Sequence, residues 1–181
     1  MDERQRDRAG TGADPRVEFA RLYDNEMPRV FRYVSYHVGS REEAEDLTAD
    51  VFHQALRHWP QVHGELNSPR AWLLTLAHHR VADHHRRHNG RNSAPLDQRF
   101  DLASDQPGPE ALAIRRDEVA TLLARLAQLP ERDRAVLTLR FAGELGHREI
   151  GEVLGMSEGA SAVALLRALR RLREVYQGEG Q

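Results

Sequence analysis

Apolar side chains recur every three or four residues through the first half of the chain, which is the spacing of one face of an α-helix. Three such stretches lie within residues 17–90. Pro28 interrupts the first and predicts a kink or the start of a second helix at that point. The run Ser40-Arg41-Glu42-Glu43 has the pattern of a capping box, and we expect the helix that follows it to stop at Pro60. Pro69 suits the first turn of the third helix.

Two stretches of the chain lack this spacing. The polar residues 1–16 predict a disordered N-terminus. Residues 91–110 are rich in proline and glycine and predict a flexible linker, which would span about 70 Å at full extension, ~3.3 Å per residue. Helical spacing resumes over residues 111–177, and no segment alternates between apolar and polar positions. The predicted fold class is therefore all-α, with two small helical domains, residues 17–90 and 111–177, joined by a flexible linker.

The second domain contains the pattern of a helix-turn-helix. A short amphipathic helix is predicted over His147–Leu154, and Gly155 can adopt the left-handed backbone that ends it. Ser157 is a suitable N-cap for a longer helix that runs to Tyr176. An ordinary corner between two helices would show the same periodicity, but several arginines beyond the turn favour contacts with backbone phosphates. They are Arg167, Arg170, Arg171 and Arg173.

Composition excludes several classes of protein. Cysteine is absent, which excludes disulfides, thiol nucleophiles and zinc sites built on thiolates. No apolar run approaches the ~20 residues of a membrane span, and the charged N-terminal segment lacks the apolar core of a signal peptide. We therefore expect a cytoplasmic protein without membrane insertion. The net charge of −2 taken alone argues against a nucleic-acid partner, so the distribution of charge matters more.

Acidic and basic residues are concentrated in different predicted helices. Acidic residues are concentrated at the start of the second helix. Its segment Asp46–Phe52 mixes acidic residues with apolar residues that cannot all be buried on one side of the helix, which suggests a protein-binding face. The third helix has Trp72 upstream of a run of arginines and histidines. Aromatic platforms and arginines together hold single-stranded bases, although a lone tryptophan is also a common core residue.

Histidine pairs in the third helix raise the alternative of a metal site. His84 and His88 are four residues apart, as are His79 and Asp83. These two pairs face different directions, and arginines are interleaved with them. Repulsion between cations therefore argues against a metal site, and we expect no cofactor.

The order of an acidic helix, a basic helix with tryptophan, a linker and a helix-turn-helix resembles the extracytoplasmic-function (ECF) sigma factors of bacterial RNA polymerase. The resemblance extends over nearly the whole chain, from about Val17 to Tyr176. Each matching run is weak alone, but their joint order and spacing are highly specific. The runs are residues 44–52, 70–73, 129–137 and 149–159.

The resemblance implies a role for each part of the chain. The first domain would bind core RNA polymerase and the −10 element as a sigma-70 region 2, and the second would bind the −35 element as a region 4. The family is usually held inactive by an anti-sigma factor, and it has no catalytic residues and no small-molecule substrate. The implied polymerase contacts are Asp46, Leu47, Thr48, Asp50 and Phe52. The implied −10 contacts are Trp72, His78, His79, Arg80, Asp83, Arg86 and Arg87. The implied −35 contacts are Arg148, Ser157, Glu158, Gly159, Ala160, Ala162, Val163, Arg167 and Arg171.

Two positions depart from the family pattern. The family commonly has basic residues early in the final helix, whereas residues 160–166 of this chain contain none. Small apolar side chains contact thymine methyls but cannot bond to guanine, which predicts either weak −35 readout or an unusual −35 sequence. His79 stands where the family often has asparagine, which predicts altered −10 preference and pH sensitivity.

Two other functions fit parts of the sequence. A stand-alone helix-turn-helix transcriptional regulator would use the second domain alone, and it would need an effector or receiver domain within residues 17–90. A helical metalloenzyme would use the histidines of the third helix, His78, His79 and His84, with Asp83. It would also need ligands from other helices, where no cluster is visible.

Overall fold

The computed structural model describes residues 14–88 and 109–178, and every regular element within these ranges is an α-helix. The all-α class is therefore confirmed. The predicted linker, apart from its last two residues, and residues 1–13 lie outside the described residues. The helices are α1 Pro15–Ser35, α2 Arg41–Val62, α3 Pro69–His88, α4 Pro109–Ala127, α5 Glu131–Phe141, α6 His147–Leu154 and α7 Glu158–Gly178.

Local capping signals explain where several helices begin. The Asp14 carboxylate accepts a hydrogen bond from the Arg16 amide, so α1 begins at Pro15, two residues before the predicted start. The predicted capping box is present, because the Ser40 hydroxyl accepts from the Glu43 amide and the Glu43 carboxylate accepts from the Ser40 amide.

Two prolines lie inside helices that continue past them. Pro28 lies within α1, which is one continuous element, and Pro60 lies within α2, which continues to Val62. A proline removes one backbone donor, and burial of the neighbouring side chains offsets that loss. Trp59, beside Pro60, is buried with its ring 5.7 Å from that of Phe19.

Helices α1, α2 and α3 pack around one apolar core, and α4 to α7 form a second helical unit. Residues at the centre of the first unit, such as Tyr33, Val51 and Leu73, are completely buried. The second unit has its own cluster, which includes Val136 and Ala168. Each unit thus buries part of its apolar surface in its own interior.

The two units also pack against each other. Leu139, Leu145 and Ile150 of the second unit are completely buried and belong to the same apolar cluster as Leu73 and Leu74 of the first. Helix α6 lies against α3, and α5 lies close to the end of α1. We call this contact the seam. Sequence periodicity did not predict it, because periodicity identifies an apolar face but not its partner.

Candidate nucleic-acid interface

One face of α3 presents a line of the residues predicted to contact DNA. Trp72, His79, Asp83 and Arg86 follow one another at intervals of seven, four and three residues, so they share a side of the helix. Trp72 is half-buried, with its ring 6.1 Å from that of Trp59, while His79 and Arg86 are exposed. Asp83 pairs with Arg86. This face combines an anchored aromatic ring with accessible polar and basic groups.

Two further predicted −10 residues are held by protein contacts. His78 points to a different side of α3, where its Nδ1 lies 3.0 Å from the hydroxyl of Tyr33. Arg80 is half-buried, and its Nε donates to the side chain of Gln54 at 3.1 Å. Burial lowers the pKa of His78 below its ordinary value. Arg87 is exposed one residue beyond Arg86.

The predicted polymerase-binding residues of α2 divide between surface and core. Asp46 and Asp50 are exposed and Leu47 is half-buried, whereas Thr48 and Phe52 are buried. The ring of Phe52 packs edge-on against Tyr23 at 4.8 Å. Sequence reasoning missed one exposed apolar residue on this helix. Leu56 is 50% exposed, and its helical spacing places it on the same face as Ala49 and His53.

The turn between α6 and α7 has the geometry that the glycines and serines predict. Gly155 has φ of +64°, the left-handed backbone that ends α6. A side chain at Gly151 would place its Cβ 2.5 Å from the carbonyl oxygen of Met156, so this glycine lets the turn approach α6 closely. The Ser157 hydroxyl accepts from the Ala160 amide, and the Ser161 hydroxyl donates to the His147 carbonyl at 2.6 Å. These contacts fix α7 against the start of α6.

The outward face of α7 is apolar where it begins and basic further on. Val163 and Leu166 are 56% and 66% exposed, and Arg167 follows them on the surface. Ala162 is half-buried, while the other small or acidic residues predicted to contact the −35 element, Glu158, Gly159 and Ala160, are exposed.

Two predicted −35 arginines have acidic partners in the protein. Arg171 pairs with Asp133, whose side chain is only 8% exposed, so this arginine neutralises a buried carboxylate. Arg148 is exposed, with its Nε 3.8 Å from a carboxylate oxygen of Glu152.

The seam contains a hydrogen bond between the domains. His37 Nε2 lies 2.8 Å from Thr138 Oγ1, and both residues are buried. The Thr138 hydroxyl also lies within hydrogen-bond distance of the Arg134 carbonyl, at 2.9 Å. Burial, together with the nearby charge of Arg134, lowers the pKa of His37 well below its ordinary value. The imidazole at this position is therefore neutral near pH 7.

Ion pairs and a second hydrogen bond cross the rim of the seam. The Glu144 carboxylate lies 2.9 Å from Arg29 and 3.7 Å from Arg70. The hydrogen bond from Arg29 lowers the pKa of Glu144. The Ser68 hydroxyl donates to Glu149 at 2.6 Å. The seam therefore combines an apolar centre with a polar rim.

Sequence comparisons identify the family. Residues 22–91 match the family model described as Sigma-70 region 2, and residues 120–172 match the one described as Sigma-70, region 4. The ECF RNA polymerase sigma factor ShbA of Streptomyces griseus is 38% identical over 141 residues, which are 76% of this chain and 74% of that protein. The chain belongs to the ECF sigma factors.

Other relatives of this sigma factor carry the same description. The ECF sigma factor BldN of Streptomyces coelicolor is 34% identical over 163 residues, 90% of this chain, and the match spans 62% of BldN. The ECF sigma factor SigD of Mycobacterium tuberculosis is 32% identical over 157 residues, 84% of this chain and 74% of SigD.

Two solved structures share the fold of this sigma factor. CnrH, solved in complex with the cytosolic domain of CnrY, has a TM-score of 0.66 at 17% identity, covering 91% of each chain. RpoE of Bartonella quintana, solved with the anti-sigma factor NepR, has a TM-score of 0.65 at 19% identity, covering 88% of this chain and 97% of that one. Among the described residues, no helix is long and apolar enough to span a membrane. No group of three metal-binding side chains occurs in residues 14–88 and 109–178.

Proposed function

We propose that this chain binds core RNA polymerase and directs promoter recognition, DNA melting and transcription initiation, using residues 17–90 and 111–177 as its two functional domains. The match of its two helical units to regions 2 and 4, in that order, is the observation that carries the proposal. The chain acts by binding, without catalytic residues, in the cytoplasm. It stabilises melted DNA because it binds single-stranded bases better than paired ones, which shifts the population toward open promoter.

We propose that the face of α3 that carries Trp72, His79 and Arg86 binds the −10 element. Trp72 is held in place by its contact with Trp59, so its exposed part offers a fixed surface on which an unpaired base can stack. His79 and Arg86 lie along the same face and are free of the apolar core. His78 faces away from this line, so we propose that it supports the helix through Tyr33 rather than contacting DNA.

The outward face of α7 is the proposed −35 reader. Val163 and Leu166 suit thymine methyl groups in the major groove, and Arg167 is placed to contact backbone phosphate. The N-cap at Ser157 and the close crossing at Gly151 hold α7 at a defined angle to α6. Arg171 is committed to Asp133, so we assign it to stabilising the domain.

The acidic face of α2 is the proposed contact with core polymerase. Asp46 and Asp50 are exposed there, and Leu56 adds an apolar contact on an adjoining face. Thr48 and Phe52 support this face from beneath. We also propose an anti-sigma factor as a further partner, because RpoE of Bartonella quintana, which shares this fold, was solved in complex with the anti-sigma factor NepR.

Run-off transcription with purified core polymerase on a promoter library tests this function. We expect initiation from a subset of promoters, and we expect Trp72→Ala to abolish opening while retaining polymerase binding. A stand-alone regulator would instead bind duplex DNA without polymerase and direct no initiation. Failure of the chain to bind core polymerase, together with unaided binding to duplex operators, would refute the proposal.

A further inference from the structure

We propose that the seam is an autoinhibitory contact, which holds the free chain in a closed state unable to read both promoter elements, and that acidification opens it. The inference rests on the proposed function, because it concerns the arrangement of the two DNA-reading domains. Two features of the structure support it: the buried contact between the domains and the histidines that line this contact.

In the closed arrangement, α3 and α7 lie too close together to contact both promoter elements. Helix α6 packs directly against both α3 and α7. Packed helices lie ~8–10 Å apart, so the axes of α3 and α7 are roughly 20 Å apart where both pack against α6. The −10 and −35 elements lie roughly 60 Å apart, taking ~17 base pairs at 3.4 Å each. The faces of α3 and α7 therefore cannot occupy both elements until the seam separates.

The seam is closely packed at its centre. Leu145 and Ile150 are completely buried there, and Gly143 lies so near Leu74 that an added Cβ would be 2.7 Å from the leucine methyl. This close fit is typical of a specific contact between two surfaces.

Buried polar atoms make the same contact easier to open. His37 Nδ1, His85 Nε2 and Arg134 Nε are buried without a hydrogen-bond partner among the described residues. Separation of the domains would return these atoms to water, where they regain hydrogen bonds. The seam thus has the mixed character of a reversible contact.

The groups that face His37 disfavour its charged form. Arg134 and Thr138 approach it from α5, and His78 and His85 approach it from α3. Tyr33 of α1 packs against the ring at 4.7 Å. Two carboxylates act on the neighbouring histidines, Glu131 on His78 and His85, and Glu43 on His85. For His37 itself, burial is the largest cause of the lowered pKa, followed by the charge of Arg134 and the neighbouring histidines His78 and His85.

The sign of the pH effect follows from this environment. The pKa of His37 is lowered in the closed state, and in the open state it returns toward about 6.5. The closed state is therefore fully stable above about pH 6.5 and loses stability as the pH falls below it. At about pH 5.5, one unit below the ordinary value, each histidine that must stay neutral weakens the closed state by up to about tenfold. Burial also lowers the pKa of His85, so it acts in the same direction.

Fluorescence energy transfer in the full chain tests the inference without polymerase or DNA. Because cysteine is absent, Arg21→Cys on α1 and Glu174→Cys on α7 provide exposed labelling positions, one in each domain. We expect high transfer at about pH 7.5 and a shift toward low transfer at about pH 5.5. Thr138→Val, which preserves the shape of the side chain but removes the hydroxyl, should lower transfer at neutral pH.

Matched histidine variants isolate the titrating group. His37→Gln keeps a donor for Thr138 but does not titrate, so it should reduce the pH response by up to about tenfold. His58→Gln, at an exposed position of α2, should leave the response unchanged. If His37→Gln loses helicity, Glu144→Gln at the exposed rim tests the seam instead. This variant weakens the ion pairs with Arg29 and Arg70, so it should lower energy transfer at neutral pH.

The outcomes separate this inference from the proposed function. Transfer that is high and independent of pH in the parent chain, or low at every pH, would overturn the autoinhibitory seam. Initiation in the run-off assay would then still support the proposed function. If the chain opens in acid but directs no initiation, the acid-sensitive seam would be supported and the proposed function in transcription would be refuted.

Discussion

Gly151 lies where α6 meets the turn that leads to α7, and its replacement by alanine tests how that turn is held. An added Cβ would lie 2.5 Å from the carbonyl oxygen of Met156 and 3.4 Å from the backbone carbon of Ser157. Both neighbours are backbone atoms, so neither can rotate away as a flexible side chain would. Accommodation therefore requires α6 and the turn to move apart.

The expected magnitude is a difference between two opposing effects. Alanine in place of glycine within a helix gains ~1 kcal/mol in propensity. Overpacking of a tight site costs ~1–3 kcal/mol, and the rigid backbone contact at Gly151 favours the upper part of that range. We therefore expect Gly151→Ala to reduce the free energy of unfolding by about 1–2 kcal/mol.

Urea unfolding followed by circular dichroism measures this change, and Gly159 supplies the control. With a slope of ~2 kcal/mol per molar, the midpoint of Gly151→Ala should fall by about 0.5–1 M. Gly159 lies in the first turn of α7 with no atom within 4 Å of an added Cβ, so Gly159→Ala should raise stability by about 0.5–1 kcal/mol. Equal midpoint shifts in the two variants would refute the proposed crowding at Gly151.

Three further predictions concern charge and binding. Arg171→Ala should lower the free energy of unfolding by about 1–2 kcal/mol, because it leaves the buried carboxylate of Asp133 without its cation; an unchanged melting temperature would contradict this. Arg167→Ala should weaken promoter affinity similarly for all −35 sequences and reduce the slope of log affinity against log salt by about one, as measured by titration of holoenzyme. A change confined to one base position would instead indicate base readout. Leu56→Asp should weaken binding to core polymerase, measured by competition, while leaving helicity intact, and undiminished binding would remove Leu56 from the interface.

Local sequence signals anticipated much of the helical framework. Helix α6 begins and ends where the sequence predicted, and the capping box at Ser40 and Glu43 is present. These signals act within one helical turn, so the neighbouring residues suffice to specify them. Pro60 did not end α2 and Pro28 did not start a second helix, because each removes only one backbone donor, and the burial of more distant side chains outweighs that loss.

The proposed binding surfaces were anticipated less completely. The family resemblance supplied Trp72 and His79 as predicted −10 contacts, but it could not show that His78 faces Tyr33 or that Phe52 packs on Tyr23. Exposed Leu56 carried no signal of its own, because leucine in an amphipathic helix is normally buried. Which side of a helix is covered depends on neighbours that the local pattern does not name.

By itself, the sequence of this sigma factor determined the helices, their caps, the helix-turn-helix and the resemblance to its family. These depend on spacings of three to seven residues and on motifs in fixed order. Only the tertiary structure decided that Arg171 neutralises Asp133 and that the two domains meet around His37 and Thr138, which are 101 residues apart. Contacts between distant segments depend on how whole surfaces fit and how much water they exclude, and no short stretch of sequence contains that information.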